Sequence, residues 1–582
     1  MAITLASSLS GIVNAWLMKA AIDELVASGD WVTIVRIAVG LICVSLVATC
    51  IPHASTYIRA EIERRVSVLA FTRLFDALDR FIGLARFEDS DFLDRLRLAQ
   101  HSCGTTTQVS ESILNVARAT LTICGFVGSL LLINPFMAAL AIVASLPVLV
   151  AEIALSKRRA KMYLEIGPIE RREEFYNRLL STVEAAKEVR LFGVGGFFRD
   201  RMMTDRRVAN AEKRKVDQRE AVLQGGLSLL SAAVSGAGLL WAFGLALTGE
   251  LSVGSISVFV AALVGLQGSM TALTVDVARC HQGLLMFEHY MSITSAGADL
   301  EITAAPRKIT ALRHGIQFRD VWFRYADDHP WVLQGVTLYI PRGCTVALVG
   351  LNGSGKTTLV KLLCRLYDPT RGAVLWDGID IRELDPLELR RRMSVMFQDF
   401  MEYDMSAGEN ISIGDISVPS DAKRVESAAK EAGVHRELSG LPRGYETLLS
   451  RLFAIPSTAK GSEIGVVLSG GQWQRVALAR TFFRDQHRRD LMVLDEPSAG
   501  LDAAAEHEIH DSLRRLRRGR TSLLISHRLG SVRDADLIVV LCHGQVSEQG
   551  THDTLLAANG IYARLFRLQA SGYDSGFVDM GQ

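Results

Sequence analysis

Gly350-Leu351-Asn352-Gly353-Ser354-Gly355-Lys356-Thr357-Thr358 decides how the second half of this chain folds. The stretch fits the phosphate-binding pattern G-x-x-x-x-G-K-[ST]. Its setting fits too: Val346-Ala347-Leu348-Val349 reads as a buried strand before it, and a helical period follows. Backbone N–H groups and the helix N-terminus meet phosphate oxygens there, and Lys356 adds a point charge. Gly350, Asn352, Gly353, Ser354 and Gly355 are therefore candidate phosphate contacts, with Lys356, Thr357 and Thr358. A match of this length is uncommon by chance but not negligible. Two further stretches remove coincidence as an explanation: Leu468-Ser469-Gly470-Gly471-Gln472 and Leu491-Met492-Val493-Leu494-Asp495-Glu496.

With all three on one chain, the C-terminal half resembles the nucleotide-binding domain of an ATP-binding-cassette (ABC) protein, an α/β P-loop NTPase. The resemblance implies ATP and Mg²⁺ as cofactors and gives roles to residues. Lys356 is expected to bridge the β- and γ-phosphates, the Thr357 hydroxyl to ligate Mg²⁺ and Thr358 to add a phosphate contact. Asp495 ends an apolar strand beside the phosphate loop, where its carboxylate would hold the Mg²⁺ shell; Glu496, next in line, is the candidate general base. Such a pair after four apolar residues also suits a helix N-terminus, a reading made remote by Pro497 and the loop upstream. Gln398 matches a glutamine that senses Mg²⁺ and faces the membrane domain, and His527 a histidine that contacts the γ-phosphate. A lone Gln or His after a strand is usually a loop residue; order and spacing among the other motifs carry both assignments. Tyr325 sits where the family places an aromatic that stacks on adenine. Ser498-Ala499-Gly500-Leu501-Asp502 fits the family's D-loop, and Glu463 a short loop preceding the signature.

The signature residues Ser469, Gly470, Gly471 and Gln472 open a helix, and a hydroxyl with two glycines at a helix N-terminus suits a γ-phosphate. The chain already offers its phosphate loop to the same group. In the family the two half-sites face each other across a dimer, so one copy of each motif implies a second half-transporter, more simply a homodimer than a heterodimer because no motif is degenerate.

A chain of 582 residues suggests at least two domains. The net charge of +1 offers no footprint for a nucleic-acid partner. A mean hydropathy of +0.21 beside a polar nucleotide-binding half means that apolar residues concentrate elsewhere. They lie before residue 280. Ala119–Ala151 is too long for one crossing of about 20 residues and is broken by Asn134-Pro135, so it reads as two spans. Ala221–Thr248 and Leu251–Val275 form another pair around Gly249-Glu250, and Met1–Ile22 with Val32–Ile51 a weaker one. Six transmembrane helices in the lipid bilayer are expected; buried core helices are excluded for the stronger pairs, which show water no polar face. The eight cysteines have no metal or disulfide spacing and read as core filler.

Lys and Arg crowd the two long connections, including Arg59, Arg64, Arg65, Arg73 and Arg80 in one and Lys157, Arg158, Arg159, Arg171 and Arg172 in the other, while the short turns hold no base. The positive-inside rule makes those connections, both chain ends and the ATPase domain cytoplasmic, in a multi-pass protein of the bacterial inner or plasma membrane. The connections keep helical periodicity and are expected to extend the spans as helices. This arrangement resembles the exporter-type ABC transmembrane domain. Phe87-Glu88-Asp89-Ser90-Asp91-Phe92-Leu93-Asp94-Arg95-Leu96 looks like its first coupling helix, and Lys187-Glu188-Val189-Arg190-Leu191-Phe192-Gly193 marks the approach to the second. Relative to the family, Met1 falls almost inside the first span where an elbow helix is usual: either the start lies upstream or the span is anchored unusually. No basic region precedes the apolar run, which disfavours a signal peptide.

The expected organisation is a membrane domain over 1–300, a linker over 301–314, an ATP-binding domain over 315–569 and a tail over 570–582. The function implied is ATP-driven transport by a half-size exporter. An ATP-gated channel or regulator is opposed by intact Glu496 and His527, a soluble ABC ATPase by the spans, and import on the same scaffold stays open.

Overall fold

Runs of apolar residues with no charge become helices that close every backbone hydrogen bond within themselves. The computed structural model describes residues 2–27, 29–104, 106–417, 419, 421–450, 465–486, 489–499 and 503–574. Two units separate, one of Met1–Leu78 with Asp94–Ala296, the other of Asp79–Leu93 with Gly297–Gln582.

The first unit is helical: α1 (Ala2–Val26), α2 (Trp31–Leu78), α3 (Ser90–Cys103, shared with the second unit's Asp79–Leu93), α4 (Thr106–Ile133), α5 (Pro135–Ser181), α6 (Val183–Leu191), α7 (Gly195–Leu247) and α8 (Val253–Thr294). Within the described residues, α2, α4, α7 and α8 hold windows long and apolar enough to cross a membrane. At 1.5 Å per residue the 48 residues of α2 run for about 72 Å against a hydrocarbon core of about 30 Å, so the connections do continue the spans as helix. Asn134 and Pro135 divide α4 from α5 as their chemistry dictates: the Asn134 side chain accepts from Phe136 N–H at 2.8 Å and Pro135 takes the first helical position. At the α7–α8 turn Ser252 caps α8, and Asp23 at the end of α1 accepts from the Gly254 amide at 2.8 Å and the Ser252 hydroxyl at 3.0 Å. A Cβ at Gly254 would lie 2.4 Å from the Lys19 carbonyl, so glycine permits that approach. Phe126, Leu130, Met137, Phe259, Leu263 and Leu266 fill the core between α4, α5 and α8. Gln267, a polar residue within a predicted span, donates to Ser231 at 2.7 Å and so joins α8 to α7.

Among its described residues the second unit holds two sheets. One has the order β2-β1-β4-β5, from β1 (Gly315–Phe323), β2 (Leu333–Pro341), β4 (Arg371–Trp376) and β5 (Ile379–Asp380), all antiparallel. The other has the order β10-β9-β3-β8-β7-β6, from β3 (Thr345–Val349), β6 (Met393–Met396), β7 (Leu491–Asp495), β8 (Ser522–Ile525), β9 (Leu537–Cys542) and β10 (Gln545–Gly550); only β10 runs antiparallel to its neighbour. Every residue of β3, β7 and β8 is buried, the mark of a parallel sheet covered on both faces. Successive side chains feed different cores: Ala347, Val349, Met492, Leu494 and Leu524 one, and Val346, Leu348, Leu491, Val493, Leu523 and Ile525 the other. The register aligns Leu348 with Ile525 and Asp495 with Ile525, which brings the C-terminal ends of β3, β8 and β7 side by side. That coincidence builds the site.

Candidate active site

From the end of β3 the chain enters the phosphate loop and then α9 (Lys356–Leu363). Gly353 and Gly355 take φ of 77° and 99°, left-handed values that glycine adopts without penalty, and a Cβ at Gly355 would lie 2.5 Å from Leu333. The loop thus curls tightly enough for the Lys356 ammonium to donate to the carbonyls of Gly350 at 2.9 Å and Leu351 at 3.0 Å. Lys356 is buried, and burial lowers its pKa against the pull of Glu496 and Asp495. Asn352, Gly353, Ser354, Gly355, Lys356, Thr357 and Thr358 line a cleft of about 480 Å³ with Gln398, Asp495, Glu496, His527 and Val332.

The carboxylates emerge from β7. Asp495 is 1% exposed, its Oδ2 accepts from the Thr357 hydroxyl at 3.0 Å, and burial pushes its pKa up to about 6. Among the described residues its Oδ1 is buried without a hydrogen-bond partner, and so is the Ser354 hydroxyl. Buried polar atoms normally have partners, so these two orphans in a phosphate-loop cleft suit an incoming cation and polyphosphate. Thr357 and Asp495 could hold a divalent ion between them, and Gln398 lies across the same cleft.

Glu496 leaves the strand at φ 52°, a left-handed value uncommon outside glycine, with its N–H donating to Ile525 O at 2.9 Å. This turn aims the carboxylate into the cleft. Gln398 Nε2 lies 3.1 Å from Glu496 Oε2, and His527 Nδ1 lies 3.1 Å from Oε1. Residues from three strand ends, far apart in sequence, therefore meet at one carboxylate. Tyr325 stands beside the cleft with its hydroxyl 3.2 Å from that of Thr358.

Ser469, Gly470, Gly471 and Gln472 are absent from the cleft lining. They start α10 (Gly470–Asp485), where Ser469 and Gln472 form a reciprocal capping box. Glu463 and Gly500, Leu501 and Asp502 lie outside the described residues. Two supporting residues were not legible in the sequence. Gln474, buried on α10, donates to the Glu496 carbonyl at 2.9 Å. Gln569, on the helix Ile561–Asp574, accepts from Leu529 N–H at 2.8 Å and donates to the His527 carbonyl, bracketing the histidine loop. No motif announces a glutamine that acts through backbone.

Comparison with known proteins matches residues 333–499 to the ABC transporter family and residues 107–270 to the ABC transporter transmembrane region. An ATP-dependent lipid A-core flippase of Chromohalobacter salexigens is 32% identical over 525 residues, 88% of this chain and 85% of that protein. The chain belongs to the ABC transporter family. A second ATP-dependent lipid A-core flippase, from Methylococcus capsulatus, is 30% identical over 565 residues, 96% of this chain and 90% of its own. In fold the ABC transporter matches the structure of a bacterial Atm1-family ABC exporter with ATP bound, with a TM-score of 0.81 at 21% identity, covering 100% of this chain and 98% of that one. This ABC transporter binds and hydrolyses ATP to drive transport across a membrane in which it is integral, and its membrane domain is of the exporter type.

Proposed function

We propose that the chain is a half-transporter whose two copies sandwich ATP and export an anionic amphiphile, with six spans per copy in a bacterial inner membrane. The observation carrying the paired arrangement is the placement of Ser469–Gln472 outside the cleft of their own chain. A second anion-binding helix end would close over the γ-phosphate, and a partner's signature supplies that chemistry. Every ATPase motif is intact, which favours two identical copies. In this reading Tyr325 bears the adenine, the phosphate loop holds the phosphates, and Thr357, Asp495 and Gln398 would hold Mg²⁺, which supplies charge neutralisation on the phosphates. Glu496 orients and deprotonates the attacking water, and His527 fixes that carboxylate at 3.1 Å while reaching for the γ-phosphate. The γ-phosphate binds the closed pair better than the open one, so its loss reverses the bias.

Support for an anionic substrate comes from a cavity of about 780 Å³ in the helical unit, lined by α1, α2, α4 and α8. Arg59, Arg118 and the carboxylate of Asp276 face it, and among the described residues neither of these two guanidinium groups is in an ion pair, while Asp276 pairs with Arg279. Both arginines flank predicted spans, and two guanidinium groups against one carboxylate leave the wall with a net positive charge that would attract an anionic group. The similarity to ATP-dependent lipid A-core flippases supports a lipid substrate.

The test is reconstitution of the purified chain in proteoliposomes carrying acidic glycolipid, zwitterionic phospholipid, peptide or cationic drug. Acidic glycolipid should stimulate ATP hydrolysis and change leaflet in an ATP-dependent way. Stimulation by cationic drugs alone would refute the substrate class, and a monomer active in solution would refute the pair.

A further inference from the structure

The segment Asp79–Leu93 packs with the nucleotide-binding unit, and it is fastened there through its backbone. The Asp299 carboxylate accepts from the amides of Ile82 at 2.8 Å and Gly83 at 2.7 Å, Leu84 N–H donates to Leu366 O at 3.0 Å, and Arg390 donates to Ile82 O at 2.8 Å. Phe81, Phe87 and Phe92 pack edge to face, with centroids 5.6 to 6.5 Å apart. From this platform Glu88 extends one carboxylate with two jobs. Its Oε1 accepts from Lys361 Nζ at 2.8 Å and its Oε2 from the Tyr367 hydroxyl at 2.5 Å. Burial opposes ionisation of Glu88, yet the Lys361 ammonium and the Tyr367 hydroxyl hold its pKa below the ordinary value.

Both partners lead to the nucleotide cleft. Lys361 is on α9, five residues after Lys356 and one helical face round. The Tyr367 ring stands at 89° to Tyr325 with centroids 5.4 Å apart, and the Lys361 ammonium lies 5.4 Å from the Tyr325 centroid and 5.8 Å from that of Tyr367. Tyr325 in turn reaches Thr358 on α9 at 3.2 Å. One carboxylate thus orients the edge-to-face wall against which Tyr325 rests and the cation over its face. A base stacking on Tyr325 gains from a ring already held in one orientation.

We propose that Glu88 is a positioning residue through which the segment Asp79–Leu93 and a purine base at Tyr325 bias one another. The proposal rests on the reading of Tyr325 as the base platform. Linkage makes the effect reciprocal: by whatever factor the base tightens the hold of Glu88, that hold tightens base affinity, and loss of Glu88 weakens it. The effect is specific to the base because the phosphates are held by Lys356 and the loop, which Glu88 does not touch.

The experiment compares equilibrium binding of ATP and of inorganic tripolyphosphate by the full-length chain in nanodiscs, for the parent, Glu88→Gln, Tyr367→Phe and Tyr325→Ala. Glu88→Gln should weaken ATP binding about fivefold or more while tripolyphosphate binding stays within twofold. Tyr367→Phe, which keeps the ring and removes only its hydroxyl, should act in the same direction with a smaller loss. If Tyr325→Ala weakens ATP selectively while Glu88→Gln affects both ligands equally, or neither, Glu88 has a merely structural role and the proposal falls. If Tyr325→Ala shows no selectivity, the base platform itself falls, and the proposal with it.

Discussion

Glu496→Gln is expected to separate binding of ATP from its hydrolysis. The substitution is isosteric, and the structure shows why it should leave the fold intact. The left-handed turn at φ 52° and the bonds from Glu496 N–H to Ile525 O and from Gln474 to Glu496 O are backbone features untouched by an amide. The amide keeps one acceptor oxygen for a donor 3.1 Å away, Gln398 or His527, and turns an N–H toward the other. What vanishes is the base. General-base action is worth about 10²–10⁴ in rate, or about 2.7–5.4 kcal/mol of barrier, so single-turnover hydrolysis should fall by that factor. Binding should move the other way. A carboxylate charge roughly 6 Å from the γ-phosphate in a medium of effective dielectric about 20 repels it by about 3 kcal/mol per unit charge, of which screening leaves a part. ATP affinity should therefore rise by roughly threefold to tenfold, about 0.7–1.4 kcal/mol. Rapid-quench hydrolysis and equilibrium nucleotide binding on the same preparation measure both. Hydrolysis within tenfold of the parent would refute the general-base assignment, and weakened ATP binding would refute the electrostatic reasoning.

Lys356→Ala should instead lose nucleotide affinity by tenfold or more, since it removes a side-chain cation that caps the loop; unchanged binding in a nucleotide titration would contradict its role. Asp485, buried at the end of α10 beside Arg520, carries a pKa pushed by burial up to about 6, above the 3.8 of the open chain. The folded form therefore holds its proton more tightly, stability falls as pH rises from about 4 to about 6, and Asp485→Asn should melt at a higher temperature than the parent at pH 7.5 by an amount that shrinks toward pH 4. The shift of about two units sets an upper bound of about 3 kcal/mol on that gain, and a variant less stable than the parent at pH 7.5 would overturn it. Gln569→Glu keeps the acceptor for Leu529 N–H but places an anion against the His527 carbonyl; turnover should drop at least fivefold with the KM for ATP within twofold, whereas a rise in KM alone would mean that Gln569 does not act through the histidine loop.

Much of the site was legible in the sequence because its chemistry is local. A phosphate loop needs its glycines, lysine and hydroxyl within nine consecutive residues, and an apolar strand ending in Asp495-Glu496 announces two carboxylates at a sheet edge. The helix breaks were legible for the same reason: Asn134 caps and Pro135 starts a helix through bonds to residues two positions away. Other relations were closed to the sequence. The meeting of Gln398, Glu496 and His527 depends on the strand order β3-β8-β7-β6 and on a register that aligns three strand ends, and pairing between distant strands leaves no periodic mark on any one of them. Gln474 and Gln569 act on backbone carbonyls and amides, which every residue has, so no side-chain pattern points to them. The attachment of Glu88 to Lys361 and Tyr367 joins residues more than 270 positions apart. The sequence by itself determined which groups this transporter has for binding and cleaving ATP, since motif chemistry is written over a few neighbouring residues; the tertiary structure alone decided which of them touch, because that depends on how buried strands pair and on where a loop from the first hundred residues comes to rest.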